Sequence, residues 1–273
     1  MKKFEGLLFC TDLDGTLYAS DGTVPKANLE AIEYFKSEGG LFTFITGRLP
    51  KTSSSVYGIV KPNAPYGCVN GAGIYDGEAG KFIWSMDLHK GFIELVRDVD
   101  KSLPEIGIQL NTAKEIYINK GNSSMDNFLA VTGIDRVECH YEDVAEPTLK
   151  VVFGHDDAEQ ITALARFLSS HPKAHLFDFI RSERTLYEIL PKGASKGTAL
   201  RKMTELFGID ISKTIAVGDY NNDISMLETA GAGFAVANAV PEVKAVADYT
   251  TVSNNDGAIS AIVDMLDCGK LSL

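Results

Sequence analysis

The sequence predicts an α/β protein built on a doubly wound parallel sheet, with an inserted α+β domain. Three observations lead to this prediction. Short apolar runs alternate with amphipathic helical segments in residues 1–83, and the same alternation returns in residues 189–273. Between them, residues 84–188 carry helix and strand patterns in a different order. Hydrophobic residues make up 45% of the 273 residues, which permits a core of normal size.

The two ends of the chain carry the pattern of a parallel sheet. Residues 7–10 and 41–45 are short continuous apolar runs of the kind that form buried parallel strands. Between them, apolar residues recur at helical spacing in 25–38. Near the other end, 195–207 has one apolar helical face, and 214–217 is a further predicted strand. Because helices connect parallel strands in such an alternation, we expect a sheet covered on both faces.

The middle of the chain has the size and pattern of a separate α+β domain. Apolar residues mark two amphipathic helices, at 88–99 and 161–168. Strand-like segments lie around them at 106–110, 115–119, 148–153, 175–180 and 185–190. We therefore predict a core made of residues 1–83 and 189–273, and an inserted domain of residues 84–188.

The charge balance and the cysteines argue against several classes of partner. The 26 basic and 37 acidic residues give a formal net charge of −11, whereas nucleic-acid-binding proteins usually carry a basic patch. The four cysteines form no CxxC pair and are interpreted as reduced thiols of a cytoplasmic protein. No segment has the ~18 apolar residues that a membrane span needs, and the apolar run near the N-terminus is a poor secretion signal. We therefore expect neither a nucleic acid nor a membrane as a partner.

The strongest chemical signal is the segment Asp12-Leu13-Asp14-Gly15-Thr16, directly after the first predicted strand. In parallel α/β sheets, ligands bind beyond the carboxyl ends of the strands. Two carboxylates two residues apart at such an end can both reach one site, where one attacks phosphorus and the other transfers a proton. A plain Asp-Gly turn is the alternative interpretation.

The second segment, Thr46-Gly47-Arg48, follows the second predicted strand. A threonine hydroxyl and backbone N–H groups at this point can bind phosphate oxygens, although Thr-Gly turns also occur without any ligand. Thr46 and Gly47 are therefore candidate phosphate-binding residues.

Lys196 has an unusual position at the start of the predicted helix 195–207. The helix dipole disfavours a cation at this end. Surface lysines are common, but an anion shared by the lysine and the helix end would explain the position. Lys196 is therefore a further candidate for holding a phosphoryl group.

The fourth segment, residues 218–223, has the sequence Gly-Asp-Tyr-Asn-Asn-Asp and lies between a predicted strand and a predicted helix. The carboxylates of Asp219 and Asp223 and the two amides are hard oxygen donors of the kind that suit Mg²⁺. An N-cap cluster is the alternative, because Asp and Asn favour that position. All four segments fall at junctions of one α/β domain, so they can converge on a single site.

Taken together, the four segments resemble the motifs of the haloacid dehalogenase (HAD) superfamily, and specifically its Cof-type, subfamily IIB phosphatases. The resemblance covers the whole chain and implies a Rossmann-like core with an inserted cap domain of the C2 type. It also implies a Mg²⁺-dependent phosphatase of small phosphorylated metabolites, with sugar phosphates as the first expectation. The expected reaction passes through an aspartyl-phosphate intermediate.

The same resemblance implies a role for each motif residue. Asp12 is expected to be the nucleophile and a metal ligand, and Asp14 the general acid and base, with its backbone carbonyl as a further metal ligand. Asp219 is expected to complete the metal site, and Asp223 to support either the metal or the lysine. The residues expected to hold the phosphoryl group are Thr46, Gly47, Lys196 and Asn222.

The spacing of the motifs indicates where an extra domain fits. The interval from Asp12 to Thr46 has room for one helix, whereas the interval from Thr46 to Lys196 is several times as long. In the superfamily, this spacing matches the larger α+β cap that follows the second motif.

Two other functions are compatible with the same sequence. A phosphotransferase or phosphomutase would pass the phosphoryl group to a sugar instead of water, and a non-catalytic protein would bind a metal or ligand without turnover. The intact Asp14 argues against the second, because Mg²⁺ binding does not require its carboxyl group. The sequence is equally compatible with a monomer and a homodimer.

Overall fold

The computed structural model describes residues 2–273, which form two compact units. The first unit joins the segment that ends at Trp84 to Ser195–Leu273, and the second is Ser85–Ala194. The inserted domain was predicted at residues 84–188. This range begins at the residue before the second unit and ends inside the last strand of that unit, Leu186–Pro191. No helix in the described part of the chain combines the length and apolar character needed to cross a membrane.

Strands and helices alternate in the first unit and follow a different order in the second. The strands are β1 (Leu8–Thr11), β2 (Leu41–Phe44), β3 (Tyr66–Cys68), β4 (Gly73–Asp76), β5 (Lys81–Ser85), β6 (Gly107–Thr112), β7 (Ile116–Lys120), β8 (Val137–Glu138), β9 (Thr148–Gly154), β10 (Phe177–Glu183), β11 (Leu186–Pro191), β12 (Thr214–Gly218), β13 (Ala232–Ala235) and β14 (Tyr249–Thr250). The helices are α1 (Lys26–Ser37), α2 (Pro50–Val60), α3 (Phe92–Ser102), α4 (Ser123–Thr132), α5 (Ala158–Ser169), α6 (Lys196–Phe207), α7 (Ile224–Leu227), α8 (Pro241–Val246) and α9 (Ala258–Asp267).

A five-stranded parallel sheet forms the centre of the first unit. Its strand order is β14-β13-β12-β1-β2, and every neighbouring pair is parallel. Strand β1 lies between β12 and β2, with Leu8 opposite Thr214 on one side and Leu41 on the other. The carboxyl ends of these three strands therefore lie side by side. The predicted α/β class with a parallel sheet is confirmed.

An aromatic cluster fixes helix α1 to this sheet. Phe35 of α1 lies 5.8 Å from Phe9 of β1, and Phe9 lies 5.5 Å from Phe42 of β2, measured between ring centroids. Phe4 stacks on Phe35 at 5.0 Å. All four side chains are buried. Burying one large apolar side chain contributes about 1.5–3 kcal/mol to the free energy of folding. The packing holds β1 and β2 in the positions from which the functional segments emerge.

A six-stranded sheet with helices on one face forms the second unit. Its strand order is β10-β11-β9-β6-β7-β8, antiparallel except for the pair β7 and β8. Apolar residues of α3 and α5 pack on alternate residues of the strands, which is why both helices show one apolar face. The centre of this core consists of Leu95, Val96, Val99, Ile108, Leu110, Val151, Phe153, Ile161, Leu164 and Leu168.

Candidate active site

Three neighbouring strands end at the candidate site. Asp12 follows β1, and its backbone N–H donates to the carbonyl of Val217 in β12 at 2.9 Å. Thr46 lies just beyond β2, and Asp219 directly follows β12. Because these strands are adjacent and parallel, their carboxyl ends bring three of the four predicted motifs to one edge of the sheet.

Lys196, the remaining motif, lies at the same edge. Its Nζ donates to Asp12 Oδ1 and to Asp223 Oδ1, each at 2.5 Å. Lys196 is 1% exposed and Asp223 is fully buried. The lysine is the first residue of α6, whose N-terminus is capped by the side chain of Ser195. These two carboxylates are anions next to the lysine, and they offset the unfavourable position of its positive charge at a helix N-terminus.

The buried charges of this site do not balance. Burial alone would lower the pKa of Lys196, but the adjoining carboxylates of Asp12 and Asp223 raise it. Burial raises the pKa of Asp12 well above its usual range, against the effect of Lys196 and together with the charges of Asp223 and Asp219. One lysine thus faces three carboxylates, which leaves an excess of negative charge.

Asp12, Asp219 and Asp223 form a group that fits a divalent cation. One carboxylate oxygen from each lies within 4.8 Å of the others. Burial, followed by the charge of Asp223, raises the pKa of Asp219 to about 6, and a hydrogen bond from the Thr16 hydroxyl at 2.8 Å opposes the shift. Oxygen donors and uncompensated negative charge are what Mg²⁺ requires. The residues present therefore fit the predicted metal.

Gly15 allows the Asp219 carboxylate to approach the backbone of the first motif. Its φ is +81°, in the left-handed region, and a Cβ at this position would overlap Asp219 Oδ2. The side chain of Asn238 donates to the Gly15 carbonyl at 2.8 Å and holds this turn. Only glycine satisfies both the backbone angle and the close approach.

Asp223 is engaged through both of its oxygens. Oδ1 accepts from Lys196, and Oδ2 accepts from the backbone N–H groups of Asp219 and Tyr220, each at 3.0 Å. Of the two roles predicted for Asp223, these contacts match support of the lysine and of the loop that carries Asp219.

The Asp14 carboxylate forms a two-pronged ion pair with Arg48. Arg48 Nε donates to Oδ2 at 2.8 Å, and a terminal guanidinium nitrogen donates to Oδ1 at 2.5 Å. The side chain of Asp14 is 60% exposed. The guanidinium carbon also lies 5.5 Å from the centre of the Tyr18 ring. Arg48 was not among the predicted site residues, although its position directly after Thr46-Gly47 was a signal.

Thr46, Gly47 and Asn222 lie around a further residue, Asn70. The Thr46 hydroxyl accepts from the Arg48 N–H at 3.2 Å, and the Thr46 carbonyl accepts from the Asn70 N–H at 3.0 Å. The Asn222 side chain donates to Asn70 Oδ1 at 3.1 Å. Sequence reasoning missed Asn70, although the Asn-Gly pair at 70–71 indicated a tight turn.

A family model for haloacid dehalogenase-like hydrolases matches residues 9–263. The chain belongs to this family. The predicted superfamily and the predicted enzyme class, a hydrolase, are therefore confirmed.

Two curated relatives of this HAD-like hydrolase match over nearly their whole length. The chain is 28% identical to the 5-amino-6-(5-phospho-D-ribitylamino)uracil phosphatase YitU of Bacillus subtilis, covering 93% of this chain and 94% of the relative. It is also 28% identical to the phosphatase YwtE of the same organism, which carries the same substrate in its name, covering 95% and 97%.

Solved structures of similar proteins share the fold of this HAD-like hydrolase over both units. A haloacid dehalogenase-like hydrolase from Bacteroides thetaiotaomicron matches with a TM-score of 0.83 and 22% identity, covering 95% of this chain and 99% of the other. A sugar phosphatase of HAD subclass IIB matches with a TM-score of 0.82 and 22% identity, covering 97% and 100%. Both likenesses concern the fold.

Proposed function

We propose that this HAD-like hydrolase is a Mg²⁺-dependent phosphatase of small phosphorylated metabolites, with Asp12 as the nucleophile. The observation that carries the proposal is the buried contact between Asp12 Oδ1 and Lys196, next to the carboxylate of Asp219. The lysine orients the attacking carboxylate and offers a positive charge to an incoming phosphate. Nucleophile, cation and metal-binding carboxylates are thus assembled before substrate arrives.

Electrostatics explain why a carboxylate can attack an anion here. Asp12 alone would repel a phosphate dianion, and its own pKa is raised by burial. Lys196 offsets part of that repulsion and stabilises the charge that spreads over the phosphoryl oxygens in the transition state. Mg²⁺, held by Asp12 and Asp219, would supply the remaining positive charge. The phosphoryl group then passes to Asp12 as its bond to the ester oxygen breaks, and water hydrolyses the resulting aspartyl-phosphate, which releases phosphate and restores the Asp12 carboxylate.

Asp14 is the proposed acid and base of the two steps. It would donate a proton to the leaving oxygen and later take one from the attacking water. Each of its oxygens accepts one hydrogen bond from Arg48, which leaves a further lone pair on each oxygen for proton transfer. Thr46, Gly47 and Asn222 are the proposed ligands of the phosphoryl oxygens.

Phosphate monoesters of sugars or sugar alcohols are the proposed substrates. The two Bacillus subtilis relatives are named for a substrate with a phosphorylated ribityl group, and a structural neighbour is named a sugar phosphatase. These names support a substrate with a polyhydroxylated leaving group.

A panel of phosphate monoesters tests this function. The purified chain is incubated with sugar, sugar-alcohol and nucleoside phosphates, with and without Mg²⁺, and released phosphate is measured. We expect Mg²⁺-dependent release from at least one sugar or sugar-alcohol phosphate. Product analysis with a hexose 1-phosphate separates hydrolysis from transfer to a second position of the sugar. Absence of release from every ester in the presence of Mg²⁺ would refute the proposal.

The contribution of Asp219 to the stability of the metal-free protein is expected to fall as the pH rises from about 4 to about 6. The folded state raises the pKa of Asp219 to about 6, so it binds more protons than the unfolded chain in this window. The free energy of unfolding therefore falls with increasing pH, by about 1–2 kcal/mol after allowance for partial exposure. The raised pKa of Asp12 acts in the same direction.

Added Mg²⁺ should reverse this loss, because it binds the ionised carboxylates. Thermal unfolding at pH 5 and pH 7.5, with and without Mg²⁺, measures the effect. We expect the metal to raise the melting temperature more at the higher pH, and Asp219→Asn to reduce the difference. A larger effect of Mg²⁺ at pH 5 would contradict the assignment of the metal site.

A further inference from the structure

A turn outside the four motifs, Val69–Gly71, has an unusual backbone. Val69 has a φ of +57° and Asn70 a φ of +52°, so two consecutive residues other than glycine are in the left-handed region. A β-branched residue such as valine rarely adopts this conformation. Backbone strain of this kind persists where the surrounding structure enforces it, and it often occurs at active sites.

Backbone hydrogen bonds connect this turn to the second motif. The Val69 N–H donates to the Arg48 carbonyl at 2.9 Å, and the Asn70 N–H donates to the Thr46 carbonyl at 3.0 Å. The turn therefore fixes the backbone on both sides of Gly47.

The turn also packs against the start of helix α6. Gly71 has a φ of +90°, and a Cβ at this position would overlap the carbonyl of Ser195. Ser195 immediately precedes Lys196, so the turn lies in direct backbone contact with the segment that positions the lysine. The left-handed conformation and the close approach together require glycine at position 71.

The side chain of Asn70 connects the second motif to the fourth. It is 1% exposed, and its Oδ1 accepts from Asn222 Nδ2 at 3.1 Å. A Cβ added to Gly47 would lie 2.8 Å from the same Oδ1. Asn70 therefore lies between two of the residues proposed to bind the phosphoryl group.

We propose that Asn70 is a positioning residue, which fixes the Asn222 amide and the Thr46-Gly47 backbone relative to each other. The inference rests on the proposed function, since it takes phosphate as the ligand of these groups. Asparagine and glycine are the residues that most readily adopt a φ of +52°, so the backbone angle alone does not distinguish between them at position 70. The side chain of Asn70 accepts the hydrogen bond from Asn222, a contact that glycine at this position would not make.

Asn70→Gly removes the side chain and keeps the left-handed backbone. We expect the dissociation constant of inorganic phosphate, measured by calorimetry with Mg²⁺ present, to rise about tenfold. A change of this size corresponds to the free energy of about one hydrogen bond to a charged ligand, here the bond from the Asn222 amide. For a phosphate ester, KM should rise by a similar factor, and the change in kcat should be smaller than the change in KM. Lys61→Gly relaxes another residue with positive φ, at the end of α2, and should leave all these quantities unchanged.

A second variant tests the same contact without removing Asn70. Gly47→Ala should displace the Asn70 amide and weaken phosphate binding about as much as Asn70→Gly, because the new Cβ meets Oδ1. In the double variant the steric conflict is absent, so Gly47→Ala should add less than about a twofold effect. This variant also decides the question if Asn70→Gly does not fold.

A purely structural role for Asn70 predicts a different pattern. The melting temperature would then fall in both variants while the affinity for phosphate stayed at the wild-type value. Unchanged phosphate affinity, or fully additive effects of Gly47→Ala and Asn70→Gly, would overturn the proposal. Calorimetry does not require turnover, so an enzyme that binds phosphate but hydrolyses no ester would refute the proposed function and leave this test valid.

Discussion

Asp12→Asn is expected to lower kcat for a phosphate ester by at least about 10³-fold, as loss of a covalent nucleophile does in enzymes whose catalytic groups act together. Asparagine has nearly the same shape as aspartate and can keep a hydrogen bond from Lys196 to its oxygen. It cannot form the acyl-phosphate bond on which the proposed reaction depends. The loss should therefore appear in kcat with every substrate, whatever its leaving group.

The same variant is expected to retain or gain stability in the absence of metal. Asp12 is one of three carboxylates around a single lysine, and burial already raises its pKa. Removing its charge leaves Lys196 paired with Asp223 and reduces the repulsion among the carboxylates. A low kcat together with an unchanged or higher melting temperature would separate loss of the nucleophile from loss of the fold.

Asp264→Asn provides a matched control for this experiment. Asp264 lies in α9 of the same unit, and it is exposed to solvent. The change in charge and shape is the same, so activity should stay at the wild-type level. Near-normal activity of Asp12→Asn would exclude Asp12 as the nucleophile and with it the proposed mechanism.

The parallel sheet could be predicted because its strands other than the edge strand β14 are buried on both faces. The predicted strands 41–45 and 214–217 correspond to Leu41–Phe44 and Thr214–Gly218, and the predicted helix 195–207 to Lys196–Phe207. A continuous apolar run bounded by polar residues is a local property, so one sequence suffices to detect it. The motifs that lie at the ends of such strands could therefore be placed at one edge of the sheet together with the strands.

Elements without a local apolar pattern were not predicted. Helix α2, Pro50–Val60, contains three consecutive serines, and the small sheet of β3, β4 and β5 consists of short strands with glycines. Their formation depends on tertiary contacts, such as the bridge between Ile45 and Gly67, which extends β2 towards β3. Propensity is too weak to reveal structure that packing imposes.

Contacts between residues far apart in the sequence could not be predicted either, because they too depend on tertiary structure. The ion pair of Arg48 with Asp14 and the hydrogen bond of Asn222 with Asn70 join residues 34 and 152 positions apart. Asp223 shows the limit clearly, since its type and position suited both a metal ligand and a partner of the lysine. In the structure Asp223 contacts Lys196 and also lies in the acidic group with Asp12 and Asp219.

Lys196→Met is expected to reduce both activity and stability. Methionine keeps much of the volume but leaves Asp12 and Asp223 without their shared cation. Removing one partner of a buried ion pair typically costs about 3–5 kcal/mol in unfolding free energy. Loss of the charge that stabilises the transition state should also lower kcat by about 10²–10³-fold. Denaturant unfolding at pH 7.5 and steady-state kinetics measure the two effects.

The double variant Lys196→Met/Asp223→Asn separates the two roles of the lysine. Asparagine can still accept the backbone N–H bonds of Asp219 and Tyr220, so the loop keeps its support while one unpaired buried charge disappears. Stability should therefore recover in part, whereas activity should not, because the positive charge of Lys196 is still missing beside the phosphoryl group. Recovery of activity along with stability would mean that Lys196 serves the fold alone. Equal stability of the single and double variants would mean that its charge does not compensate Asp223.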